Sequence, residues 1–241
     1  MTSKLLHLHG VFVGGSTRRS SAPAHRIIAL PAFNALVSDY NLDPDTAKVS
    51  PDDLANAAMS HHQILQAYCA DHALLPMRFG TVFSGVTALK DAMRRARTRS
   101  VHALHALADL REYSVEVLVS GTAPPAPSVS DNGRGFLSDR KRLRDVRRNT
   151  SKDRQTFAMD LLQRIELLTT LPLHNGTAKP DKLLDLTALL SAAALETLRR
   201  LAADADARAT ELGLTLRIRG PWPAYHFDPD AMVQEAMCHG A

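Results

Sequence analysis

Apolar and polar positions along the chain repeat with two different periods, and the change of period marks out the elements. Residues 4–13 (KLLHLHGVFV) and 26–38 (RIIALPAFNALVS) are apolar runs of strand length, separated by Gly14-Gly15 and a Ser/Arg/Pro stretch. From residue 51 the period becomes helical. Leu54, Ala57, Ala58, His61, Ile64, Leu65 and Tyr68 share one face, Ser50 is placed as N-cap, Pro51 suits the first helical position, and Asp52 and Asp53 suit the positive end of the dipole. LLPMRFGTVF (74–83) reads as one strand with Leu75, Met77, Phe79, Thr81 and Phe83 on one face and Leu74, Pro76, Arg78, Gly80 and Val82 on the other. Pro76 gives the ladder no donor and belongs near the strand start or on an edge. Residues 86–111 are helical in pattern, interrupted near Thr98–Ser100.

The second half begins with EYSVEVLV (112–119), whose Tyr113, Val115, Val117 and Val119 alternate as in a strand. A Pro/Ser/Gly connection follows at 121–135, then a helix at 136–168 that is very basic at its start. TTLPLHN (169–175) is a weak strand candidate and 182–190 a better one. An Ala-rich helix at 191–212 stops before Gly213, and LTLRIR (214–219) is the last strand. The order from 112 onward is βαββαβ, that of a ferredoxin-like domain. The expected fold is therefore α+β with two domains: 1–111, an N-terminal α+β domain; 112–227, a ferredoxin-like α+β domain; and a tail at 228–241.

Composition narrows the classes. The chain is 45% hydrophobic and 22% charged, as globular proteins are. No run of 18 apolar residues suggests a membrane span. The first fifteen residues lack the apolar core and cleavage site of a signal peptide. Cys69 and Cys238 lie far apart and outside any C-x-x-C, which argues against a disulfide framework or a Cys-based zinc site and fits a reducing cytosol. The net charge of +4 is dominated by arginine, a residue suited to bidentate contacts with acidic partners.

Candidate chemistry is sparse. No P-loop, G-x-G-x-x-G or G-x-S-x-G occurs, so no catalytic residue or cofactor site is expected. His61 and His62 are adjacent, so their side chains diverge by about 100° on a helix and do not readily share one ion. His102, His105 and Asp109 lie on one helical face but bring no evident fourth ligand, so no metal is expected. Residues 140–154 hold eight basic and two acidic side chains, which makes nucleic-acid binding the alternative functional class. The other reading of this run is a solvated or protein-docking face, because the aromatic stripe of an RNA-recognition sheet is missing.

Two stretches stand out. Arg78, between Met77 and Phe79, serves either as a structural ion-pair partner, for which Glu116 faces the right way, or as a partner contact. Gly80 leaves room beside it. GPWPAYHF (220–227) concentrates Trp222, Tyr225 and Phe227, three of only twelve aromatic residues in the chain. It is either a plug packed on the fold, with Trp222 docked on the body of the chain, or an anchor for another chain.

LLPMRFGTVF resembles the P-L-R-F-G-T-V-F signature of the gas vesicle accessory proteins of the GvpF/GvpL family. LRIRGPWPAYHF is similar to that family's terminal G-P-W-P-P-Y-x-F block, EYSVEV to its E-W-x-V-x-V strand, and GRGFLSDR to its G-R-A-Y-L helix start. Met77, Tyr113, Phe136 and Ala224 depart from the pattern. The resemblance implies a two-domain α+β protein with a modified ferredoxin-like C-terminal domain, non-enzymatic and cytoplasmic, that acts in gas vesicle assembly. It implies binding to the small hydrophobic shell protein as chaperone, nucleator or minor shell component, with other gas vesicle accessory proteins as further candidate partners. Its signature residues here are Pro76, Arg78, Phe79, Gly80, Trp222, Tyr225 and Phe227.

Overall fold

The computed structural model describes residues 5–15, 21–40, 49–120, 133–169, 171, 173–176 and 181–226. The chain divides into two compact units, Met1–Glu112 with Pro221–Ala241, and Tyr113–Gly220. The aromatic block therefore goes with the first unit, although sequence order groups it with the second. Phe227, the segment 121–132 and the tail 228–241 lie outside the described residues.

The first unit is built on β1 (Leu6–Val13), whose residues Leu6 to Phe12 are all buried. The apolar run at 26–38 is a hairpin rather than one strand. It comprises β2 (Arg26–Ala29) and β3 (Asn34–Asp39), joined through Leu30–Phe33, where Pro31 interrupts the ladder. β3 pairs antiparallel with one edge of β1, with an irregularity between Leu8 and Gly10.

The other edge of β1 takes two short strands, β4 (Ala73–Pro76) and β5 (Val82–Phe83). LLPMRFGTVF is thus not one strand. Between the pairs Gly10–Pro76 and His7–Val82, β1 advances three residues while its partner advances six, so the surplus is extruded as a turn.

Helix α1 (Pro51–Cys69) starts as its sequence dictates. The Ser50 hydroxyl accepts from the Asp53 N–H at 3.1 Å, with Pro51 and two acidic residues in the first turn. Its apolar face, with Ile64, Leu65, Tyr68 and Cys69, packs with Phe12, Leu36 and Leu74. The helical stretch after β5 divides at Ala96 into α2 (Val86–Arg95) and α3 (Arg97–Ala106), slightly earlier than the sequence suggests.

The second unit contains most of β6 (Leu110–Val119) and of β9 (Leu214–Trp222), with α4 (Gly133–Glu166), β7 (His174–Asn175), β8 (Lys182–Ser191) and α5 (Ala192–Glu211) between them. The strand order is β7-β8-β6-β9. Tyr113, Val115 and Val117 enter its core with Leu161, Ile165, Leu186 and Leu198. Gly213 adopts φ +63 and ends α5 as a left-handed stop. Lys182 binds Glu116 and, at 2.9 Å, Asp185. Arg219 approaches the same Glu116 at 3.7 Å. Glu116 is therefore engaged within the second unit and is not the partner of Arg78.

Candidate functional site: two signature segments anchored on one helix

The extruded turn begins where Met77 N–H donates to the His9 carbonyl at 2.8 Å. Arg78–Thr81 then closes on itself, with Thr81 N–H donating to the Arg78 carbonyl at 3.1 Å and the Thr81 hydroxyl to the same oxygen at 2.7 Å. Gly80, the third residue of this turn, has φ +82, the geometry of a type II turn, which requires glycine there. A side chain at Gly80 would meet no atom within 4 Å, so its role is backbone conformation and not space for a neighbour. Gly80→Ala is expected to lose about 1–2 kcal/mol, the cost of a left-handed L-residue, measurable as a lower chemical-denaturation midpoint.

This turn projects Arg78 outward. Its side chain is exposed and has no hydrogen-bond or ion-pair partner among the described residues. Phe79 points the other way and is half-buried against two histidines, 5.3 Å from the His7 ring and 5.7 Å from the His61 ring. Pro76 is the last residue of β4.

Beneath the turn lies a group of histidines that the sequence did not announce. His7 and His9 come from β1, His61 from α1, and all three are buried. Gly80 N–H donates to His7 Nε2 at 3.1 Å. His9 Nδ1 and His61 Nδ1 are 3.0 Å apart, and His9 Nε2 lies 2.9 Å from the Ser38 hydroxyl. Burial pushes His7 and His61 down to about 4 and His9 to about 2, the neighbouring imidazoles adding to the effect for His9 and His61, so all three are neutral at pH 7. For His61 a hydrogen bond with the Met77 backbone pulls the other way. His25 is separate: its Nδ1 bonds the Pro23 carbonyl at 2.7 Å and its Nε2 the Tyr68 hydroxyl at 2.8 Å. A cleft of about 480 Å³ reaches His7, His9 and Phe79, with Arg26, Asp39 and Tyr40 also lining it.

The second signature segment docks on the next residue of the same helix. His62 Nδ1 is 2.9 Å from the Tyr225 hydroxyl, and its ring is near-parallel to that of Tyr225 at 5.9 Å. Trp222 lies 6.2 Å from His62. One turn further along α1, Gln66 Nε2 donates to the Pro221 carbonyl at 2.8 Å. Glu112 closes the block: its buried carboxylate accepts from His226 N–H at 3.0 Å and faces His226 Nδ1 at 3.0 Å. Trp222 is half-buried and Ala224 buried, whereas Tyr225 stays 44% exposed. Cys69, beneath Pro221, is buried, and burial pushes its thiol up to about 11, which makes it a poor nucleophile.

The divergence expected of His61 and His62 thus has a use: one ring lies under the arginine turn, the other holds the aromatic block. His102, His105 and Asp109 are exposed, and the histidines that do converge are His7, His9 and His61. An H-x-H on a strand puts both rings on one face, which is the signal that could have found them. The basic run at 140–154 lies within the single helix α4, its basic side chains exposed but for the partly covered Arg154, which donates to the Leu212 carbonyl at 2.7 Å.

A profile of the family described as "Gas vesicle synthesis protein GvpL/GvpF" matches residues 21–229. The chain belongs to this family. Gas vesicle protein F2 of Halobacterium salinarum is 26% identical, over 89% of this chain and 82% of the relative. Gas vesicle protein L2 of the same organism is 27% identical, over 87% and 83%. Among solved structures, gas vesicle protein GvpF from Anabaena sp. PCC7120 superposes with a TM-score of 0.65 at 16% identity, covering 92% of this chain and 97% of that one. GvpF from Microcystis aeruginosa gives 0.56, also at 16% identity, over 93% and 98%. These likenesses bear on the fold: a mixed α/β chain with two sheets. Family membership ties the chain to the making of gas vesicles. Among the described residues no helix is long and apolar enough to cross a membrane.

Proposed function

We propose that the chain is a non-enzymatic, cytoplasmic gas vesicle assembly protein, and that its first unit binds the small hydrophobic shell protein as chaperone, nucleator or minor shell component. The observation that carries this reading is the joint anchoring of both signature segments on α1, by His61 and His62. The fold invests buried polar contacts in holding a turn whose tip is an exposed arginine, and a block whose Tyr225 remains accessible. An arginine with no partner among the described residues is ready for a carboxylate of another chain, and tyrosine is favoured at interfaces. We also read the β-α-β-β-α-β order of the second unit, with strands β7-β8-β6-β9, as a modified ferredoxin-like domain.

The test is co-purification of the full chain with the shell protein, using wild type, Arg78→Ala and Arg78→Lys. Both variants should melt as wild type does, within about 0.5 kcal/mol, because the side chain is exposed. Both should bind the shell protein at least about tenfold more weakly, a difference of about 1.4 kcal/mol, lysine failing because it lacks the planar fork. Unchanged binding by Arg78→Ala would remove the arginine from the interface. No association of the wild-type chain with the shell protein would remove the reading itself.

A further inference from the structure

We propose that His7, His9 and His61 form a binding site for one Zn²⁺ ion, with its fourth position toward the cleft, and that occupancy releases the Gly80 amide from His7. Each of the three residues offers a ring nitrogen, and these atoms lie within 4.8 Å of one another. Three imidazoles and one open position make a common zinc donor set. His9 Nδ1 and His61 Nδ1, at 3.0 Å, are near the separation of about 3.3 Å that two nitrogens adopt on a tetrahedral zinc with bonds of about 2.0–2.1 Å. The rings are already neutral, which is the ligating form.

The surroundings are those of a built site. Metal-bound histidines are oriented through their outer nitrogen. His9 has the Ser38 hydroxyl there at 2.9 Å. The His61 ring is also held by a hydrogen bond with the Met77 backbone. A single proton lies between the two Nδ1 atoms in the metal-free protein. On coordination it moves to the outer nitrogen of the same ring, so both ligands remain neutral imidazoles. The cleft supplies a way in and room for a water molecule or a partner's side chain at the fourth position.

His7 makes the site more than a structural plug. Gly80 N–H can only donate, so His7 Nε2 accepts and the ring's proton sits on Nδ1. If His7 ligates through Nε2, the Gly80 bond is lost. If it ligates through Nδ1, the proton moves to Nε2 and opposes the same N–H. Either way zinc and the Gly80–His7 hydrogen bond exclude one another, and the turn bearing Arg78 feels the metal.

The experiment adds Zn²⁺ to untagged, chelator-treated full-length protein. Expected are one zinc retained per chain after gel filtration, X-ray absorption showing imidazole nitrogens at about 2.0–2.1 Å, and a shift of the Gly80 amide resonance on binding. His9→Ala should retain at least tenfold less zinc than wild type, while His105→Ala, at an exposed site, should retain as much. Ser38→Ala removes the outer partner of His9, together with the long 3.4 Å contact of that hydroxyl with the Asp39 carbonyl, and should weaken binding by about 10–100-fold, which keeps the test open if His9→Ala does not fold. No retained zinc, equal retention in Ser38→Ala and wild type, or a Gly80 amide unmoved by zinc would each overturn the proposal.

Discussion

Acidifying the metal-free protein from pH 6.5 to pH 4 is expected to destabilise the first unit enough to unfold it. Burial holds His7 and His61 down to about 4 and His9 to about 2, whereas in the unfolded chain all three titrate near 6.5. Between those values the unfolded chain binds more protons than the folded one. Stability is therefore fully present above pH 6.5 and falls as pH falls toward 4. One ring displaced from 6.5 to about 4 corresponds to about 3 kcal/mol. Three rings act in the same direction, against a total stability of about 5–15 kcal/mol for a typical domain.

The groups around the rings do little to offset this. His25, Tyr40 and Phe79 line the cleft without bringing a carboxylate, and Asp39, the carboxylate among its lining residues, is already bonded to Arg26. The check is the melting temperature between pH 7 and 4 by circular dichroism, with chelator present, and amide exchange of β1 as the local reporter. A flat melting temperature across that window would contradict the burial of these rings.

Much of the fold was legible because its signals are local. Ser50, Pro51, Asp52 and Asp53 specify a helix start with side chains a few residues apart. Tyr113, Val115 and Val117 mark a strand by alternation, and Gly213 a helix end by its backbone freedom. What escaped is set by partners distant in the chain. LLPMRFGTVF has the alternation of one strand, and only its register against β1 extrudes the turn. Gly80 carried the cue, since a glycine in the third place of a tight turn is a type II signal, but alternation on both sides masked it. Pro31 carried a similar cue for the hairpin at Leu30–Phe33.

Of the candidate site, Arg78, Trp222 and Tyr225 stood out from composition alone, as a lone charge in an apolar run and a rare density of aromatics. Their supports did not. His7 and His9 alternate with leucines and glycine, a pattern that reads as part of an apolar strand. Strand parity suits Glu116 to Arg78, but parity specifies a face and not a neighbour, and Lys182 occupies it. Glu112 and His226 are far apart in sequence, so no periodicity joins them.

That last pair carries the second large effect. Glu112→Ala is expected to undock the aromatic block. Glu112 is 2% exposed, and its carboxylate sits against both the backbone N–H and the ring of His226, each at 3.0 Å. Hydrogen bonds to a charged group contribute about 1.5–3 kcal/mol each, so losing both should lower stability by about 3 kcal/mol or more. Because His226 directly follows Tyr225, its release also loosens the His62–Tyr225 contact. Trp222 is the sole tryptophan and therefore reports on the block directly. Its emission should shift to the red and quench more readily in Glu112→Ala while the circular dichroism of the helices persists. Glu112→Gln keeps an oxygen for the His226 N–H and offers an amide to the ring, so it should recover most of the wild-type emission. Wild-type fluorescence in Glu112→Ala would mean that His62 and Gln66 hold the block without the carboxylate. Double substitution with His62→Ala would then be needed to free it.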